Sequence, residues 1–600
     1  MNRQTHFLRR LCLVVLGPAL LAACQVEGGI SQSATTAASD VQPVGTSATQ
    51  AQAVAARKAT WTVGMTDQPD LLTPYQASST EQRRAAPVSE LLFPSPVLIY
   101  QGSYTTTGVL EQVPTLEDGG AEIRKADVYL DASGAITTTA TQVITQVDQL
   151  VITYRWNPKL AWSDGQPVTA DDSVFAYEHA KATASNPDLL TQIAQTASYT
   201  ALDAHTTQAV LRPDITGADY VFSYWTPLPK HLLDGAGEDA WRRYEQQPVG
   251  YGPYQIEQRE PSAIRMVQNP HYFGSAPANP KLDILFAPSI DLLRANIANG
   301  NLDVIASERA LEADIKALDA DAAEHGGSTS YAATPTWEHI DFNLDVPTLQ
   351  EIRVRRAIAL GTNRKQMVED LLGGHSEVLN SWVLPFQPEA APADQLTRYD
   401  YDPEQAKQLL ADSGYTDEDG DGLRSSEDGI TLTLTLLTTS DSPLRQGIAK
   451  RFQADMRAIG MDVQISEQSA TDLFDPGGPL YQRQFELALY GWKADLHASG
   501  LALWGCNAVP KQENNFQGEN FAGWCFRDAD MAIRRGSTTI QAEERAALYL
   551  KQQQMWTQEL PALPLFQRVA VVANAKGVQG PQADTFAPLT WNVASWKRDQ

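Results

Sequence analysis

The chain has 600 residues, 43% of them hydrophobic and 8% aromatic, too many for one core, so several packed domains are expected. Its net charge of −26, from 46 Lys and Arg against 72 Asp and Glu, argues against a nucleic-acid partner, because phosphate neutralisation needs a basic surface.

Arg3, Arg9 and Arg10 precede an apolar run from Leu11 to Ala23. The run is shorter than the ~20 residues a bilayer-spanning helix needs and has the form of a secretory signal. It ends Leu21–Ala22–Ala23–Cys24, which resembles a bacterial lipobox, with an ordinary signal and an incidental Cys as the competing reading. Residues 1–24 are thus read as a lipoprotein signal peptide, with Cys24 as the lipidated first residue of the mature chain. The expected location is outside the cytoplasm, on the periplasmic or extracellular face, held to the membrane by the lipid alone. Residues 25–57 are rich in Ser, Thr, Ala, Gln and Gly and read as a flexible tether. Export changes the cysteine reading, since only Cys506 and Cys525 remain and the compartment is oxidising. One disulfide is favoured over a metal pair or a nucleophile.

Along the body, Trp61–Met65 reads as a strand, as does Val151–Trp156. Asp164–Gly165 makes a tight turn, and Thr169 with Asp172 has the spacing of a capping box at the start of a helix. The stretch Trp162–Ser163–Asp164–Gly165–Gln166–Pro167–Val168–Thr169–Ala170–Asp171–Asp172, followed by Phe175–Glu178, resembles the signature of the family 5 extracellular solute-binding proteins. The resemblance continues in order through Gly250–Tyr254, Asn269–Gly274, Gly300–Val304, Phe342–Asn343 and Arg353–Ala357. It covers Trp61 to about Phe566. At Asn269–Gly274 Phe273 stands where the family has Trp.

The resemblance implies an α/β, two-lobed, periplasmic-binding-protein-like fold with a hinge and an extra subdomain in the first lobe. By motif order, residues 58–94, 226–288 and 565–600 would form lobe I, 95–225 the extra subdomain and 289–564 lobe II. It further implies a lipid-anchored receptor of an ABC importer that captures a peptide-like solute between its lobes and passes it to a permease and its ATPase. A monomer without catalytic activity or required cofactor is expected. The alternatives are a non-peptide solute, such as an oligosaccharide or chelated metal, or a sensor or chaperone-like surface role for the same fold.

In the second half, one helix is expected over Leu349–Leu360, and Asn363 can cap the next, which stops at Gly373. Asp402–Pro403–Glu404 opens a helix ending near Ser413–Gly414. Ile430–Leu437 reads as a strand, Arg451–Ile459 as a helix, Val463–Ile465 as a strand and Phe485–Tyr490 as a buried strand. Such alternation suits α/β lobes.

Asp495 is the leading site residue. In peptide-binding family members an Asp three residues after a Trp at this strand end pairs with the ligand's α-ammonium, and Trp492 to Asp495 reproduces the spacing. A carboxylate in a water-poor cleft makes a strong charge-assisted bond to an ammonium; a solvated loop carboxylate is the competing reading. The chain departs from the family's Asp-x-x-Asp-Pro continuation, reading Asp495–Leu496–His497–Ala498–Ser499. Trp492 and Trp504 are candidate stacking surfaces for the ligand, with core packing as the commoner fate of Trp. Asn520–Trp524 resembles a family loop that borders the cleft.

Residues 417–428 form a second candidate. Asp417, Asp419 and Asp421 alternate ahead of Gly422, the Leu423 carbonyl follows and Asp428 holds the twelfth position, as in a calcium loop. Asp replaces the usual bidentate Glu and a strand follows, so an acidic turn competes with a structural calcium ion. No nucleophile elbow, zinc-binding His pair or phosphate loop is present in the sequence.

Overall fold

The computed structural model describes residues 59–75, 79–130, 136–137, 143–213 and 215–599. The signal, Cys24 and the tether lie outside them. Among the described residues no helix is long and apolar enough to cross a membrane.

A ten-stranded mixed sheet runs through the body. Its strands are β1 (Thr60–Met65), β2 (Tyr254–Glu260), β3 (Ala263–Gln268), β4 (Lys281–Phe286), β5 (Val304–Ser307), β6 (Ser328–Phe342), β7 (Thr433–Thr439), β8 (Asp462–Gln468), β9 (Leu487–Lys493) and β10 (Ala562–Asn574). Their spatial order is β8-β7-β9-β6-β10-β5-β1-β4-β3-β2. β1 lies parallel between β4 and β5, and β7 lies parallel between β8 and β9. The long β10 joins β5 and β6 and runs antiparallel to both. A second, antiparallel five-stranded sheet takes its strands from residues 121–211.

The glycines of the Gly250–Tyr254 turn have a steric cause. A Cβ at Gly250 would lie 2.1 Å from the Leu92 carbonyl oxygen, and one at Gly252 would lie 2.2 Å from that of Leu91. That approach lets the amides of Tyr251 and Gly252 both donate to the Leu92 carbonyl, at 2.9 and 2.8 Å. The buried Asn269 donates to the Gly252 carbonyl at 2.9 Å. Two motifs read in the sequence thus tie down the end of the Ser79–Leu92 helix. A third does similar work: Asp303 accepts from the amide and hydroxyl of Thr62 and pairs with Arg598, joining β1 to the C-terminal residues.

Several expected elements shift. The expected Leu349–Leu360 helix is two, Pro347–Gln350 and Ile352–Gly361, broken at the extended Glu351, whose side chain caps the second. The Ile430–Leu437 strand starts later, at Thr433, because Ser425 bridges to Thr416 and Thr431 first. The Arg451–Ile459 helix starts earlier, at Pro443, where Ser442 accepts from the Arg445 amide. The Phe485–Tyr490 strand runs from Leu487 to Lys493, so Trp492 lies within it. The capping box at Thr169 is one-sided: the Asp172 carboxylate accepts from the Thr169 amide at 2.8 Å, while the Thr169 hydroxyl donates to that carboxylate. Asn363, Gly373 and Asp402 act as expected.

The last nine residues of β6 are all buried, and they include Glu338, His339 and Asp341. A buried charge needs a partner or must neutralise. His339 Nε2 lies 3.4 Å from Asp341 Oδ1, and the Tyr490 hydroxyl donates to Asp341 Oδ2. Burial lowers the His339 imidazole to about 3 and raises the Asp341 carboxyl to about 7. The signs oppose. Native Asp341 binds its proton more tightly than in the unfolded chain, so its contribution falls as pH rises from about 4 to about 7. Native His339 resists protonation, so its contribution falls as pH drops from about 6.5 to about 3. Between pH 4.5 and 6.5 the two slopes cancel. Asp341→Asn should therefore make the melting temperature fall on acidification across that window, and His339→Gln should make it rise; thermal melts of both variants at pH 4.5, 5.5 and 6.5 check this.

Candidate functional site

A cavity of about 280 Å³ opens at the carboxyl ends of β1, β5 and β9, where ligands of open α/β sheets commonly bind. Met65, Ala306, Ser307 and Lys493 come from those strand ends, and Arg568 and Ala570–Val572 come from β10. The Ser79–Leu92 helix contributes Arg84 and Pro87, and residues 582–589 close one side. Both signs of charge line it, Arg84, Arg309, Lys493 and Arg568 against Asp67, Glu308 and Asp584, with apolar surface from Phe586 and Leu589 between them. Arg309 is paired with Asp67 at 2.7 Å. The Asp584 carboxylate accepts from the amides of Phe586 and Ala587, so it shapes its own loop.

Arg568 is fixed from beneath. Glu338 on β6 is wholly buried, and its Oε1 accepts from Arg568 Nε at 2.7 Å while its Oε2 accepts from Arg445 Nε at 3.0 Å. Burial alone would push the Glu338 carboxyl up, but the two guanidiniums hold it down at about 2.

Beyond the end of β9 the chain carries Asp495 on an exposed loop. Its backbone is held from below, since Gln387 Nε2 donates to the Asp495 carbonyl at 2.9 Å. Two residues further on, the buried Glu389 grips the same loop. It accepts from the Ala498 amide at 3.0 Å and bonds His497 Nδ1 at 2.8 Å, and it pairs with the buried Arg545 at 2.6 Å. Burial would raise the Glu389 carboxyl, but His497, Arg545 and the Ala498 amide hold it at about 2. Across from this loop, Tyr104 donates to Asp219 Oδ1 at 2.6 Å and lies 6.1 Å from the His497 ring. Burial raises the Asp219 carboxyl, and Asp495 and Glu389 push it further up against the pull of Tyr104 and His497. Negative charge thus gathers where residues 104 and 219 meet the Asp495 loop.

The expected site residues separate. Trp492 is half-buried, stacked on Phe521 with ring centroids 6.1 Å apart, and stands next to the cavity-lining Lys493. Trp504 is buried against Trp382 and Trp556. Cys506 and Cys525 form a disulfide. Within the loop it closes, the buried Asn520 donates to the carbonyls of Gly505 and Trp524. In the acidic loop, carboxylate oxygens of Asp417, Asp419 and Asp421 lie within 4.8 Å of one another; Asp428, expected as the twelfth-position ligand, is not in that group. Glu338, Glu389, Arg545 and Arg568 escaped the sequence reading, because no local pattern marks a carboxylate whose partner lies more than a hundred residues away.

A model of the bacterial extracellular solute-binding proteins, family 5, matches residues 138–508. A di/tripeptide-binding protein of Pseudomonas aeruginosa is 27% identical over 349 residues, 56% of this chain and 58% of that protein. The chain spans 64% of the length of one curated relative, a probable ABC transporter-binding protein of Deinococcus radiodurans, and 58% of the di/tripeptide-binding protein. Among solved structures, the oligopeptide-binding protein AppA of Bacillus subtilis with a nonapeptide superposes with a TM-score of 0.64, at 16% identity, over 90% of this chain and 99% of that one. NikA of Brucella suis with Fe(III)-EDTA superposes with a TM-score of 0.69, at 15% identity, over 90% and 100%.

The clamp on the Asp495 loop has a measurable energy. Glu389→Ala would leave Arg545 buried and unpaired, a change that costs ~3 kcal/mol or more. Denaturant unfolding should show that loss, and Glu389→Gln, which keeps two hydrogen-bonding atoms, should lose less.

Proposed function

Because this chain belongs to the family 5 extracellular solute-binding proteins, whose members bind solutes for transporters and are not enzymes, we propose that it captures a peptide-like solute and delivers it to a membrane permease. The observation that carries this reading is the cavity itself. It sits at strand ends, offers apolar surface and carries both charge signs, as a zwitterionic, amphipathic ligand requires. Asp495, beside the acidic meeting point with Asp219, takes the ligand's α-ammonium, and Trp492 lies at its flank. The relative named for di- and tripeptides supports the same class.

Capture works by closure. Lobe I is residues 58–94, 226–288 and 565–600, lobe II is 289–564, and 95–225 is a subdomain on the first. The chain passes from lobe I to lobe II near residue 289 and returns within β10, and the pairing of β6 with β10 slips between Ala333 and Trp337, which supplies a place to bend. Ligand bound to both sides shifts the population toward the closed form that a permease and its ATPase can distinguish from the empty receptor. Lipidation at Cys24 keeps the receptor beside that permease.

Asp495→Asn should weaken binding of peptides with a free amino terminus by about tenfold or more, since a bond to a charged group is worth ~1.5–3 kcal/mol. It should leave N-acetylated peptides unaffected; isothermal titration of both peptide forms decides. Native mass spectrometry before and after mild acid release would identify any co-purified solute. A chelated metal or an oligosaccharide released in place of peptides would replace this reading.

A structural calcium ion in the 417–428 loop is a separate proposal. Three carboxylates within 4.8 Å repel one another by about 1 kcal/mol per pair even in water, and a divalent cation would remove that repulsion. The Leu423 carbonyl is a further donor, with Asp428 drawn in on binding. Calcium should raise the melting temperature and a chelator should reverse the rise, both effects vanishing in Asp419→Asn/Asp421→Asn.

A further inference from the structure

Arg568 presents an anion-binding surface that its own ion pair does not consume. A guanidinium has five N–H donors in a fixed fork. Two of the Arg568 nitrogens, Nε and Nη2, are turned to one oxygen of Glu338. No other acceptor engages the guanidinium among the described residues, and the side chain lines the cavity. Glu338 cannot neutralise it fully, because the same carboxylate also serves Arg445. One negative and two positive charges therefore stand together beneath the cavity wall, and Lys493 lines the same cavity from β9.

The carboxylates nearby do not cancel this charge. Asp67 is committed to Arg309, and Asp584 to the amides of its own loop. Glu308, which also acts on Arg568, is exposed to water. The anchor beneath Arg568 is rigid: Glu338 lies in the interior of β6 and is wholly buried, so Arg568 meets a ligand without first losing side-chain freedom.

We propose that Arg568 binds a carboxylate of the solute and that Glu338 is its positioning residue. The assignment rests on the peptide-like reading above and adds a requirement to it, a carboxylate on the ligand in addition to its ammonium. The carboxylate could be the peptide's C-terminus or an acidic side chain, and the two are separable.

The test uses the unaltered protein and the variants Arg568→Gln, Arg568→Lys and Glu338→Gln. The probes are a random tripeptide library with free carboxyl termini, the same library amidated, and an amidated library with Glu at its last position. Bound species are read by native mass spectrometry and affinities by titration. The free-acid library should bind about tenfold or more tightly than the amidated one, as a charge-assisted hydrogen bond predicts. Rescue of the amidated library by the Glu side chain would identify the source as any carboxylate; absence of rescue would identify it as the C-terminus. Arg568→Gln should abolish the acid-over-amide preference while leaving amide binding within about twofold, and Arg568→Lys should restore part of the preference. Glu338→Gln should reduce the preference although it touches no ligand. Equal affinity for acid and amide, or a parallel loss of both in Arg568→Gln, would overturn the role of Arg568. A lowered melting temperature in Glu338→Gln with the preference intact would overturn the positioning role. If no library binds the unaltered protein, the peptide-like reading fails first, which is a different result from equal binding of acid and amide.

Discussion

The architecture depends on one buried carboxylate. Glu338 sits in the middle of the long strand β6 with no exposure, and such a group stays ionised only with charged partners. Its two partners come from different parts of the chain, Arg445 from the helix after β7 and Arg568 from β10. The pairing joins strand, helix and returning strand at the point where the sheet reaches the cavity. Apolar packing is often as stable as a buried ion pair, so stability alone does not account for this one, and it holds a guanidinium in the cavity wall.

A second buried carboxylate repeats the logic at the Asp495 loop. Glu389 and Arg545, 156 residues apart, pair in the interior and hold the loop of Asp495 through His497 and the Ala498 amide. The Ala498 amide thereby meets a carboxylate that arrives from Glu389, 109 residues away in sequence. In both places a buried carboxylate fixes a group that lies nearer the surface, Arg568 in one and the Asp495 loop in the other.

The sequence made the fold legible through short motifs whose causes are steric and local. Gly250 and Gly252 must lack side chains to meet the carbonyls of Leu91 and Leu92, and Asp303 must reach the amide of Thr62. Caps at Asn363 and Asp402 were equally plain, because a cap is decided within four residues. What stayed hidden was set by distant pairing. Trp492 and Trp504 look alike in sequence, yet one ends a strand beside the cavity and the other is enclosed by Trp382 and Trp556. Glu338 and Arg568 are 230 residues apart and meet only because β6 and β10 are neighbours. The shifted helix and strand starts have a local origin instead: Ser442 caps its helix through the Arg445 amide, and Ser425 bridges to Thr416 and Thr431, contacts that hydrophobic periodicity does not record.

The position of β10 has a consequence for how the molecule is made. The sheet has two halves, β8-β7-β9-β6 and β5-β1-β4-β3-β2, and this strand is the seam between them. It is encoded at residues 562–574, close to the end of the chain, whereas β1 is encoded at 60–65. During synthesis the N-terminal strands appear long before the seam does. Until then β5 and β6 each present an unpaired edge, and such edges in a topology dominated by distant contacts fold slowly and invite association. The sheet is therefore completed only after its last strand has emerged.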